Sequence, residues 1–161
     1  METTPSIRHF ERLTHYEIAI DELLAQARSR IAVFEPQLSV RFNSPRRYEV
    51  LRAFLLSSRA NQIRVLVHDA TTISRNCPRL VQLLRQYSDA VLVHETPEEA
   101  KRIYDPFSVA DNLGYVRRFH HEDDRGVTSL DDEGTALELA RRFDEMWDLS
   151  SPAVTATVLG L

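Results

Sequence analysis

Apolar residues in this chain change their spacing along its length, from helical period to short unbroken runs and back, and that alternation limits the fold more than any single residue. Ile20, Leu23, Leu24 and Ala27 share one helical face. Arg30-Ile31-Ala32-Val33-Phe34 then reads as a strand stopped by Pro36. Val50, Leu51, Phe54 and Leu55 return to helical spacing, and Ile63 to Val67 reads as a buried strand. Leu80, Val81, Leu83 and Leu84 form the next helical face, with Pro78 in its first turn, and Ala90 to Val93 the next strand. Units of this kind predict an α/β domain, a mixed, mostly parallel sheet flanked by helices on both faces.

The boundaries have their own chemistry. Thr14 and Glu17 have the spacing of a capping box, and Ser44-Pro45 has serine at a helix cap with proline at the first helical position. Pro97 to Arg102 is expected to make a turn or two of helix. Asp111-Asn112-Leu113-Gly114 has hairpin-turn chemistry between strands Phe107 to Ala110 and Tyr115 to Phe119. A polar loop rich in His, Glu and Asp follows. A last helix runs from about Asp132 to Leu149, with Leu137, Ala140, Phe143 and Trp147 at helical intervals. Residues 1–13 read as a polar, mobile lead-in and 14–152 as the domain. Residues 153–161, with Val154, Val158 and Leu159, are expected to add an edge strand or to reach a partner chain.

Composition excludes more than it identifies. With 161 residues, 43% hydrophobic and 27% charged, the chain suits one globular domain. No apolar run is long enough to cross a bilayer, no secretory signal is evident at the N-terminus, and Cys77 is the lone cysteine, so a cytoplasmic protein is expected. A net charge of −4 gives no general attraction to nucleic acid or to an anionic membrane. Four glycines leave no glycine-rich phosphate loop. No cofactor and no metal are expected.

Several segments together resemble one repeat of the phospholipase D superfamily: Ala32-Val33-Phe34, Leu51-x-x-Phe54-Leu55, Arg64-Val65-Leu66-Val67, and a closing Phe143-x-x-x-Trp147 followed by Ser150-Ser151-Pro152. The resemblance covers about Ile20 to Pro152. It implies a catalytic His-x-Lys-x4-Asp motif whose histidine attacks phosphorus and whose lysine neutralises phosphate oxygens, with a pair of small residues further on. If the aspartate is Asp111, Tyr104 takes the histidine position and Pro106 the lysine position, while Arg118-Phe119 take the small pair. A phenol without a strong base beside it is a poor phosphoryl nucleophile, and proline carries no charge. The resemblance therefore implies the scaffold without the chemistry. Since single repeats of that superfamily pair across a two-fold axis, it also implies a homodimer.

Other residues are weighed on their own. His68-Asp69 and His94-Glu95 end two predicted strands, where open α/β sheets place ligands; with Tyr104 and Asp111 they make the candidate pocket. Asp111 is most simply a turn residue. Arg41, Arg46, Arg47 and Arg52 cluster around a helix start and are the candidate anion-binding group, although no interleaved aromatics support base stacking. His120 and His121 lie beside Glu122, Asp123 and Asp124, but neighbouring strand residues point to opposite faces, so a solvated acidic loop is the expectation. Cys77 beside Pro78 at a helix start has a position that can lower a thiol pKa. Three readings follow: a non-catalytic binding or assembly module, a nucleic acid or anion binder using the arginines, and a phosphodiester hydrolase with relocated histidines. No protein partner is identifiable.

Overall fold

A computed structural model describes residues 4–155. Eight strands form one sheet: β1 (Ile7–Phe10), β2 (Arg30–Phe34), β3 (Gln62–Val67), β4 (Val91–Glu95), β5 (Phe107–Ala110), β6 (Gly114–His120), β7 (Asp123–Ser129) and β8 (Ser151–Val154). Five α-helices accompany them: α1 (Leu13–Gln26), α2 (Pro45–Ser57), α3 (Ile73–Asn76), α4 (Pro78–Gln86) and α5 (Glu133–Asp148). The strand order is β1-β7-β6-β5-β2-β3-β4-β8.

Only β2–β3 and β3–β4 pair in parallel; the other five pairings are antiparallel. The sheet is mixed as expected, but it is not mostly parallel. Helical crossovers enforce parallel pairing only through β4. Beyond it tight turns join β5 to β6 and β6 to β7, and such turns can join only antiparallel neighbours; β1 on β7, β5 on β2 and β8 on β4 add the other three antiparallel pairings.

Alternation along the central strands separates two cores. Ile31 and Val33 of β2, with Ile63, Val65 and Val67 of β3, meet α1, α2 and α4 on one face. Ala32, Phe34 and Leu66 meet α5 on the other, where Phe107, Tyr115 and Phe143 complete the packing. Leu51, Phe54 and Leu55 are buried on α2. Burying a side chain of this size contributes about 1.5–3 kcal/mol, which is why the central strands carry almost no exposed surface.

Several local expectations are met and others fail. Ser44 caps α2, its hydroxyl accepting from the Arg47 N–H at 3.1 Å with Pro45 in the first turn. The helix at Leu13 has Arg12 at its cap and no side-chain cap bond, so Thr14 and Glu17 make no capping box. Glu17 is instead bonded to Arg47. Residues 7–10, read as part of a mobile lead-in, form β1 against β7. The segment read as an acidic loop turns at His121-Glu122 and then becomes β7. Ser151–Val154 is an edge strand beside β4, and the expectation for Val158 and Leu159 lies outside the described residues.

Candidate functional site

The carboxyl ends of β2, β3 and β4 lie at one edge of the sheet, with the start of β5 and the β6–β7 turn. Each strand end delivers a polar residue there: Glu35 after β2, His68 after β3, His94 and Glu95 in β4. Tyr104 precedes β5, and Arg118 and His121 come from the end of β6 and its turn.

The six residues of the candidate pocket do not converge. The Tyr104 ring lies edge-on to His68 with centroids 5.5 Å apart. His68 uses both its nitrogens. Nε2–H donates to the Ile103 carbonyl at 2.6 Å, so Nδ1 accepts from the Thr96 hydroxyl at 2.7 Å. Burial lowers its pKa, helped by Lys101 and His121 and opposed by the bond to Ile103, which favours a neutral imidazole. His94 stacks on Trp147 at 3.8 Å. The Ser150 hydroxyl donates to the Trp147 carbonyl at 2.6 Å, so His94 Nδ1–H donates to Ser150 Oγ at 2.8 Å. Burial and then Arg64 lower the His94 pKa. Asp69 accepts from the Thr71 N–H and hydroxyl, and Glu95 from the Ala70 N–H. Both carboxylates brace the loop after β3.

Asp111 lies at the opposite end of β5, away from Tyr104. Its carboxylate accepts from the backbone N–H groups of Arg28, Ser29 and Arg30 at 2.8–2.9 Å, and from the Ser29 hydroxyl at 2.9 Å. Burial would raise its pKa; those bonds outweigh it and hold the carboxyl below the usual value. The turn's positive φ falls at Asp111 and Asn112, 57° and 54°, and not at Gly114. Asp111 is a turn residue that also ties the β5–β6 hairpin to the chain entering β2.

The adjacent histidines do meet. Centroids of His120 and His121 lie 5.8 Å and 5.0 Å from that of Tyr104. The strand bends here, with a register shift between Arg118 and His120, so the rule of opposite faces no longer applies. His121 donates its backbone N–H to the Tyr104 carbonyl at 2.7 Å.

Beside this cluster, on the α1 and α2 face, is a cavity of about 410 Å³ between α1, residues 35–42 and β6. Arg41 and Arg47 line it; Arg46 and Arg52 are exposed on α2 outside it. The arginine cluster is thus divided. Arg47 is buried, paired with Glu17 at 2.8 Å and Asp21 at 3.0 Å, and lies over the Phe42 ring. The cavity also holds three residues that sequence reasoning missed: Tyr16, Glu35 and Arg118. The Tyr16 hydroxyl donates to Glu35. Burial pushes the Glu35 carboxyl up to about 7, against the lowering effects of Tyr16 and Arg118. Arg118 stacks over the Tyr16 ring at 4.8 Å and donates to the His121 carbonyl at 2.8 Å. Glu35 ends a predicted central strand just before Pro36, the same signal that singled out His68 and His94.

Cys77 is the reverse of what its helix-start position suggested. Burial pushes its thiol up to about 11, with Arg47 only partly offsetting the effect. Among the described residues, no group of three or more His, Cys, Asp or Glu side chains is placed to hold a metal, and no helix is long and apolar enough to cross a membrane.

The fold these elements define is phospholipase D-like. Nuc from Salmonella typhimurium, a phospholipase D family member, superposes with a TM-score of 0.65 at 10% identity, over 94% of this chain and 100% of that one. NucT from Helicobacter pylori gives 0.62 at 11% identity, over 93% and 100%. TrmBL2, an archaeal chromatin protein whose structure shows a novel mode of DNA binding, gives 0.67 at 7% identity over 91% of this chain. The chain spans about half, 54%, of that protein's length. No curated protein matches the sequence. The chain belongs to the family described as Domain of unknown function (DUF7931), whose model matches residues 13–158.

Proposed function

We propose that this chain is a non-catalytic phospholipase D-like domain, a binding or assembly module that works as a homodimer. One observation carries the reading. Tyr104, at the position the resemblance assigns to the nucleophile, has its ring against His68, His120 and His121 instead of presenting an imidazole. Pro106, at the lysine position, supplies no cation. Of the imidazoles around this point, His68 is fully hydrogen-bonded and His120 Nδ1 accepts from the Glu122 N–H at 3.2 Å, so His121, whose ring lies nearest, is the one the turnover test must address. The homodimer rests on the pairing of single repeats in the superfamily, and Tyr104 and Phe119 leave apolar surface exposed beside the strand ends.

The test is turnover. Incubated with bis(p-nitrophenyl) phosphate, with and without magnesium, the protein releases no nitrophenol above the protein-free rate. Turnover that disappears on His121→Ala or His120→Ala would establish a relocated active site and end this reading. Light scattering that finds only monomer at high protein concentration would end the dimer.

A second reading is nucleic acid binding. It is favoured by the guanidinium groups of Arg41, Arg46 and Arg52, exposed around the start of α2 and without an ion pair among the described residues. Binding to DNA that weakens steeply with salt, and weakens further on Arg46→Ala with Arg52→Ala, would support it. Salt-independent or absent binding removes it.

A further inference from the structure

We propose that the cavity between α1, residues 35–42 and β6 binds a small oxyanion, a carboxylate or a phosphate-type group, through the guanidinium of Arg118, and that Glu35 sets the pH at which it binds. This rests on the reading of the chain as a binding module and adds the class of ligand.

Arg118 is the unusual residue. It is only 8% exposed, and a buried arginine is normally paired. Arg47 across the cavity obeys that rule, with two carboxylates on it. Among the described residues no carboxylate lies within ion-pair distance of Arg118, whose side-chain partners are the His121 carbonyl and the Tyr16 ring. Among the described residues its Nε has no hydrogen-bond partner, and neither does Nδ1 of His121, a second residue lining the same cavity. A buried guanidinium without an ion pair among the described residues, with unpartnered nitrogens on two residues that line one cavity, suits an oxyanion as its counter-ion. The cavity's volume admits a small organic molecule carrying such a group.

Glu35 lines the same cavity. The groups that face it are Tyr16 and Glu17 from α1, Arg47 from α2 and Arg118 from β6. Glu17 is bonded to Arg47, and Tyr16 donates to Glu35 itself. When Glu35 ionises, its charge competes with an incoming anion for Arg118; when protonated, it does not. With a carboxyl that titrates at about 7, the competent fraction falls about tenfold between about pH 6 and about pH 8, and the apparent Kd rises by the same factor.

Sulfate and acetate keep a constant charge across that range and separate the two ligand types. Titrated into the full chain and followed by 1H–15N spectra, one of them gives saturable shifts at Arg118 and His121; sulfate the tighter indicates a phosphate-type ligand, acetate a carboxylate. Affinity falls about tenfold from about pH 6 to about pH 8. Glu35→Gln keeps an acceptor for Tyr16 and flattens that profile, while His121→Asn keeps its slope. Arg118→Met loses the binding; should it fail to fold, the Glu35→Gln profile decides. The proposal is overturned by absence of saturable shifts with either anion, by a folded Arg118→Met protein that binds as tightly, or by an unchanged slope in Glu35→Gln. Failure here with no phosphodiester turnover leaves the binding-module reading standing; turnover removes that reading whatever the anion does.

Discussion

Replacing Asp111 by alanine removes an acceptor from three consecutive backbone N–H groups, those of Arg28, Ser29 and Arg30, and from the Ser29 hydroxyl. A hydrogen bond to a charged group is worth about 1.5–3 kcal/mol when desolvated, but this site is partly open to water, so about 1 kcal/mol for each backbone bond is the appropriate scale. Alanine must also adopt the left-handed backbone that Asp111 holds at φ 57°, at a cost of about 1 kcal/mol. The expected loss is therefore about 4 kcal/mol, a fall in Tm of about 10 °C for a domain of this size. Asp111→Gly removes the same bonds without the backbone cost and should lose about 3 kcal/mol. Asp111→Asn keeps one acceptor oxygen and should lose less than either. The acid limb carries a second signature. A carboxyl with a lowered folded-state pKa stabilises the fold above its unfolded pKa, and that contribution disappears as pH falls through the folded value. The wild-type chain should thus lose more stability on acidification than Asp111→Asn. Urea unfolding followed by circular dichroism measures all of these. An alanine variant within about 0.5 kcal/mol of wild type would show that these bonds do not hold the hairpin, and a glycine variant as damaged as alanine would show that the backbone carries no cost.

Arg47→Ala should cost about 3 kcal/mol in urea unfolding, because it leaves Glu17 and Asp21 facing each other without their shared cation. Gly126→Ala should destabilise by about 3 kcal/mol or more: a Cβ there would meet the Arg117 carbonyl oxygen at 2.0 Å and the Phe10 ring at 2.4 Å, and backbone cannot yield as a flexible side chain does. Cys77 should resist Ellman's reagent in the native protein at mildly alkaline pH, where its thiol, raised to about 11, stays protonated, and should react promptly once unfolded.

The sequence spoke clearly where burial is two-sided. β2, β3 and β4 carry continuous apolar runs because both faces are covered, and α2 and α4 announce themselves by proline in the first turn. It was silent at the margins of the sheet. In β1 only Phe10 is buried, so Ile7-Arg8-His9 looks like a polar lead-in. In β7 the fully buried positions are Gly126, Thr128 and Ser129, none of them apolar, and Val127 is only partly buried; Gly126 is small because the Phe10 ring lies over it, and the Thr128 hydroxyl donates to the Tyr115 carbonyl. Because β1 and β7 carry so little apolar signal, the sequence pattern shows the parallel half of the sheet more strongly than the antiparallel half. The site shows the same division. Strand ends flagged His68, His94 and their acidic neighbours, but which of them would be occupied by Thr96, Ile103 or Ser150 depends on tertiary contacts. Arg118, which stands in place of a small residue, lines the cavity where the register of β6 shifts, a feature that spacing in the sequence does not reveal.

Intact-mass spectrometry after incubation with a phosphodiester, under conditions that preserve phosphoramidate bonds, asks most directly whether this scaffold still forms a covalent intermediate. The account predicts an unmodified mass for the wild-type chain. A gain of one phosphoryl group still carrying its second ester substituent, the first alcohol having left, that maps to His68, His94, His120 or His121 would contradict it.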